Sequence, residues 1–222
     1  MRTTVTRNPA RNPVYLIAAL AAALLAGCAG GKSSQPNTLF DFGSPIAPNA
    51  AAAADPAAPL PALVVTDATG PAALDSERMY YRLNYADALQ ARTYANSRWT
   101  GNPLQMVTQR FKSRIAQSGV KVLSVTDAAA GVPILRIDVD DFVHAFPSAA
   151  RSEGQVVLRA SLFQGHTLVD QKTFSRATPA AANDAAGGAR ALAASTDAVA
   201  LDIVAWLGTL NLNRPAANLT RK

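Results

Sequence analysis

Pro133-Ile134-Leu135-Arg136-Ile137-Asp138-Val139-Asp140-Asp141-Phe142 alternates apolar and polar side chains with a period of two. Successive side chains leave a strand on opposite faces, so this pattern predicts a half-buried β-strand. Arg136, Asp138 and Asp140 share one face and are expected to point to solvent, while Leu135, Ile137 and Val139 turn inward. Downstream, Gly154–Gln164 and Thr167–Arg176 flank Gly165-His166, a glycine turn between two alternating runs, which predicts a β-hairpin. After an alanine-rich stretch, Ala177–Gly188, expected to be a loop, Leu192, Thr196, Val199, Ala200, Ile203, Trp206 and Leu207 recur at helical spacing up to Gly208. That stripe predicts a long helix with one buried face.

Upstream, Asn102-Pro103 places a capping side chain and a preset φ at a helix start. Leu104, Val107, Phe111, Arg114 and Ile115 continue that helix to Gly119, a residue suited to the left-handed stop. Val120–Val125, Ala91–Ser97, Met79–Tyr85, Leu63–Val65 and Leu39–Phe42 read as strands, with Ala86–Gln90 a turn between two antiparallel ones. The order strands, helix, strands, hairpin, helix predicts an α/β single domain, a mixed β-sheet of about five to seven strands packed with two main helices. Whether the helices share one face of the sheet stays open. Ser44–Pro61, rich in alanine and proline, cannot make a strand ladder and is expected to be an inserted surface loop.

The N-terminal part carries a separate message. Arg2, Arg7 and Arg11 precede the uncharged run Val14–Leu25, then Ala26-Gly27 and Cys28, the single cysteine of 222 residues. As a helix that run would be roughly 18 Å long, short for a bilayer core of about 30 Å. It reads as a signal peptide, and Leu25-Ala26-Gly27-Cys28 resembles a bacterial lipobox. A small residue before the cysteine admits a peptidase, and the thiol is the nucleophile that would take a diacylglyceryl group. The expected organisation is 1–27 signal peptide, 28–36 acylated N-terminus and tether, 37–208 folded domain with its insert at 44–61, and 209–222 flexible tail. In lipoproteins of this kind an aspartate after the cysteine favours the inner membrane; here Ala29 stands there, so an outer-membrane anchor facing the periplasm is expected.

Composition narrows the function classes. Loss of residues 1–27 would remove three arginines and no acid, leaving 18 basic against 15 acidic residues, a net charge of +3. No basic cluster with interleaved aromatics points to nucleic acid. The densest cationic stretch, Arg110-Phe111-Lys112-Ser113-Arg114, is expected to be a solvated helix face. His144 and His166 have no neighbouring ligand at zinc spacing and read as bonded or solvated histidines. No nucleophile elbow and no phosphate loop in strand–helix context is present, and Asp138, Asp140 and Asp141 read as an exposed strand face. No catalytic, cofactor-binding or metal-binding set is assigned, and an enzyme is not expected.

Tyr80-Tyr81-Arg82-Leu83, then Tyr94-Ala95-Asn96-Ser97-Arg98-Trp99 and Pro103-Leu104 together resemble the ABC-type transport auxiliary lipoproteins. Leu39-Phe40-Asp41-Phe42-Gly43 and Ile137-Asp138-Val139-Asp140-Asp141-Phe142 match the same family in kind, so the resemblance spans about residues 37 to 208. Tyr94, Trp99 and Pro103 carry it and are read as packing residues. The resemblance implies a non-catalytic accessory, without cofactor, of lipid transport systems built on mammalian-cell-entry (MCE) domains, including the Pqi type. The partners it implies are an MCE-domain protein of an ABC lipid transporter and, through Cys28, the lipid of the outer membrane; a homo-oligomer stays open. A lipid-binding module and a structural lipoprotein of another envelope machine are the alternatives.

Overall fold

A computed structural model describes residues 36–44, 60, 62–127 and 131–210. The expectations for the signal peptide, Cys28, its tether, most of the Ala/Pro insert and the tail fall outside these residues. Eight strands form one sheet: β1 (Thr38–Phe40), β2 (Ala62–Val65), β3 (Arg78–Arg82), β4 (Ala91–Trp99), β5 (Lys121–Leu123), β6 (Ile134–Ser148), β7 (Arg151–Gln164) and β8 (Thr167–Pro179). Two long helices, α1 (Pro103–Gln117) and α2 (Ala185–Thr209), complete the fold. The count exceeds the expected five to seven because all eight runs read as strands join the same sheet, the three-residue β1 and β5 included. The described residues from Asn37 onward form one compact unit.

Strand β6 organises the sheet. One of its edges pairs antiparallel with β7 along the whole length. The other edge is divided: β2 runs parallel to it at Ile134 and Leu135, and β3 at His144 and Ala145. Fifteen residues span roughly 50 Å at the usual strand rise, enough to hold two short partners end to end. A bulge between Val139 and Asp141 lies between the two pairings, where one extra residue bends the strand. From β2 the sheet continues to β5; from β3 it continues through β4 to β1.

The expected alternation holds before the bulge: Leu135, Ile137 and Val139 are buried, and Arg136 and Asp140 are exposed. Asp138 is half-buried instead, because it accepts a hydrogen bond from the Thr69 hydroxyl beside an isolated parallel bridge. Strand β3 stops at Arg82 rather than Tyr85, since the Leu83 carbonyl accepts from the amides of Ala86 and Asp87 and turns the chain.

Both helices cover the same face of the sheet. They contact each other, and α2 also lies on β6, β7 and β8. The start of α1 follows from its sequence: the Asn102 side chain accepts from the Gln105 amide at 2.8 Å, with Pro103 in the first turn and Gly119 at φ +88° beyond the end. Helix α2 begins earlier than its stripe suggests. Ala177–Pro179 extends β8, and Asp184 caps the helix by accepting from the Gly187 amide at 2.7 Å. Gly187 and Gly188 therefore lie inside the helix rather than in a loop. A Cβ at Gly188 would stand 2.3 Å from His144 Nδ1, so close approach to the sheet outweighs poor helix propensity there.

The seven stripe residues of α2 are all buried, as are Phe111 and Ile115 of α1. By length and composition α2 is apolar enough to cross a membrane, yet its stripe forms the core against β6–β8.

Candidate functional site

Tyr94, half-buried, and His144, buried, form a polar pair inside an aromatic cluster. Strand β4 brings Tyr94 over the sheet, and its hydroxyl lies 2.7 Å from His144 Nδ1 on β6. Tyr81 stands 4.7 Å from the Tyr94 ring, and Phe146 4.5 Å from the imidazole. Gly188 of α2 closes over the top. His144 is fully buried, and its Nε2 has no hydrogen-bond partner. Burial pushes the imidazole down from 6.5 to about 4, against the opposing charge of Asp184. Burial also raises the Tyr94 phenol, with Tyr81 and Asp184 adding to it. Both groups are neutral at ordinary pH; His144 is sealed from solvent and Tyr94 is half-buried. They hold the β3–β4 pair to β6 and α2.

The neutral imidazole makes stability depend on pH. Unfolded His144 takes up a proton near 6.5 while the folded one waits until about 4, so the unfolded state binds more protons between these values. Stability contributed by His144 is complete above pH 6.5 and is lost as pH falls toward 4, by about 3 kcal/mol in all. Urea unfolding at pH 7 and pH 5 should show about 2 kcal/mol of this loss, and His144→Phe should flatten that part of the profile.

Trp99 and Pro103 occupy a different region. Trp99 is buried and meets Phe42 and Phe142, each 5.7 Å from it between ring centroids. Pro103 is buried at the start of α1. The three residues that carried the family resemblance thus do not converge: Tyr94 belongs with His144, and Trp99 and Pro103 lie where β1 and β4 run into α1. Beside them an open groove of about 480 Å³ runs along α1, lined by Phe42, Met106, Gln105, Gln109 and Arg110.

Arg110 and Arg114 depart from the solvated face expected of them. Arg110 is only 7% exposed, and both guanidinium groups clasp Asp197 of α2 with two hydrogen bonds each, at 2.5–2.8 Å. Burial alone would raise the Asp197 carboxyl. The hydrogen bonds from Arg114 and Arg110, with their charges, outweigh burial and hold it below the ordinary carboxylate range. The signal was present but partial: 110 and 114 share one side of a helix, and Asp197 adjoins the apolar stripe at Thr196.

Among the acidic residues of the β6 face, Asp141 pairs with Arg82 at 3.0 Å and Asp140 is exposed. His166 lies exposed in the β7–β8 turn, apart from His144. Among the described residues no group of three His, Cys, Asp or Glu side chains is arranged to hold a metal ion. Cys28 lies outside them.

Residues 44–204 match a family model described as the ABC-type transport auxiliary lipoprotein component. No curated protein matches the chain. Among solved structures, a Xanthomonas campestris protein assigned to the DUF330 family model is similar with a TM-score of 0.64 and 20% identity, over 76% of this chain and 93% of its own. A second, uncharacterized protein is similar with a TM-score of 0.59 and 13% identity, over 78% of this chain and 99% of its own. At such identities the likeness concerns the fold.

Proposed function

This chain belongs to the ABC-type transport auxiliary lipoprotein component family, and on that premise we propose that it is a non-catalytic, outer-membrane-anchored docking partner of an MCE-type lipid transporter. The family match over residues 44–204 is the observation that carries the reading. The anchor would be a diacylglyceryl group on Cys28, whose neighbours Ala26, Gly27 and Ala29 suit processing and outer-membrane sorting. Anchoring that lasts takes at least two acyl chains, which a processed lipoprotein cysteine carries. Ala29–Pro36 would then act as a tether with a root-mean-square reach of roughly 15 Å, holding the domain near the bilayer and raising the local concentration of its docking surface. Among the described residues, the buried His144 and Arg110 and the half-buried Tyr94 serve packing and ion pairing, which suits an accessory better than a hydrolase.

Crosslinking in cells that express an MCE protein tests the docking role. Recovery of that protein with the chain is expected; repeated recovery of none overturns the reading. Cys28→Ser is expected to move the chain from the membrane to the soluble periplasmic fraction and to remove the acyl mass from its N-terminus. A membrane-bound variant of unacylated mass would sink the anchor.

A second reading has one observation in its favour. The groove along α1 has apolar walls at Phe42 and Met106 and a volume of about 480 Å³, within the range of small-molecule sites. A lipid-binding module would use it, and mass spectrometry of lipid extracted from the purified chain separates the two roles.

A further inference from the structure

Strand β8 has a single neighbour. It pairs with β7 from Thr167 to Pro179 and with no other described strand. The other outer strands, β1 and β5, are three residues long, a common way of blunting a sheet edge. The edge of β8 is 13 residues long, with proline only at its last position. Alternate main-chain N–H and C=O groups along it point away from the sheet.

This edge is one wall of a groove. Residues 172–176 of β8 face Asp202, Ala205, Trp206 and Thr209 of α2 across a cavity of about 500 Å³. Those four helix residues recur at the spacing of one helix face. The floor is apolar and closed: Phe174 and Trp206 are both buried, with ring centroids 5.8 Å apart. Trp206 Nε1 donates to Asp170 at 2.9 Å, so the indole leaves no unmet donor. Arg176 is satisfied by Asp202 through two hydrogen bonds at 2.6 Å. Lys172 differs. It is exposed, its Nζ lies 5.3 Å from the Phe174 ring centroid, and it makes no ion pair among the described residues.

The groove therefore presents three features to an incoming strand: free main-chain groups, an apolar floor at Phe174, and an unpaired cation two residues before it. Two residues is the repeat of side chains on one face of a strand. We propose that the outer edge of β8 and the facing flank of α2 form a strand-addition site for an extended peptide of a partner protein, in which an acidic residue stands two positions from an apolar one. The peptide adds a ninth strand, its apolar side chain rests on Phe174 and Trp206 beside Ala205, and its carboxylate meets Lys172. Main-chain bonds supply affinity, and alternate side chains supply selectivity. The inference does not depend on which envelope machine contributes the peptide.

The test titrates the full-length chain in detergent with a blocked heptapeptide, Thr-Asp-Thr-Val-Thr-Asp-Thr, whose symmetry offers an aspartate to Lys172 in either strand direction. Saturable binding is expected, with hydrogen-exchange protection gained at alternate amides of residues 172–176. Ala205→Arg fills the groove from an exposed position and should weaken binding at least about tenfold. Lys172→Glu should weaken it about as much, and a peptide with lysines in place of the aspartates should recover the loss. Unchanged thermal midpoints would show that both variants fold. The proposal is overturned by absence of binding at millimolar peptide, by protection elsewhere on the chain, or by equal binding to all three proteins. It is also overturned if sedimentation shows a dimer that Ala205→Arg dissociates, because a second copy would then occupy the edge.

Discussion

Asp197→Ala is expected to destabilise the folded chain by about 3–5 kcal/mol, the usual cost of removing one partner from a buried ion pair. Arg110 and Arg114 have side-chain exposures of 7% and 16%, so neither guanidinium can turn fully to water when the carboxylate is gone. Two cations would then face each other between α1 and α2. The alternative to a charged cluster is an apolar one. Replacing all three residues, Arg110→Met, Arg114→Met and Asp197→Leu, is expected to restore stability to within about 1 kcal/mol of the original, since apolar groups of similar volume carry no desolvation cost. Denaturant midpoints with constant m-values would measure both changes. A loss below about 1 kcal/mol for Asp197→Ala would mean that water screens the cluster. The same carboxylate adds acid sensitivity. Its folded pKa is depressed, so its contribution is present above the unfolded value near 3.8 and disappears as pH falls below it.

Gly154→Ala is expected to cost about 3 kcal/mol through overpacking, a large effect for one methyl group. A Cβ on Gly154 of β7 would lie 2.3 Å from the Leu192 amide nitrogen and 2.4 Å from the Ala191 carbonyl carbon. Both are backbone atoms of α2, which no side-chain rotation can move aside. The helix would have to lift from the sheet, taking Leu192 and Val199 out of contact. The lift would also strain the Ser195 hydroxyl, which donates to the Gly154 carbonyl at 2.6 Å and accepts from the Thr178 amide at 3.0 Å. At about 3 °C per kcal/mol for a domain of this size, the midpoint should fall by about 10 °C. Gly165→Asn serves as the comparison. Gly165 has φ +57° and nothing within 4 Å of its would-be Cβ, and asparagine tolerates that backbone, so less than about 1 kcal/mol is expected. Similar losses at both sites would count against the close approach of α2 as the cause.

Much of the fold was written in short stretches of sequence. The alternation through 134–139 announced β6, Gly165-His166 the β7–β8 hairpin, Asn102-Pro103 the start of α1, and the stripe from Leu192 to Leu207 the buried face of α2. Each rests on residues a few positions apart, where strand and helix periods act directly. The family, too, was legible from Tyr80–Leu83, Tyr94–Trp99 and Pro103-Leu104. Other features were not. The helix faces, the burial of Arg110 and of His144, and the place of Gly187 and Gly188 inside α2 come from partners remote in the chain. Arg110 and Asp197 are 87 residues apart, and Tyr94 and His144 are 50 apart. A basic residue on a helix reads as solvated until the opposing helix supplies its carboxylate, and a glycine pair reads as a loop until a ring on the sheet demands the space. Local periodicity determined the elements and their order. Tertiary packing alone decided which surfaces meet, because the free energy of each contact belongs to a pair whose members the chain does not bring near each other.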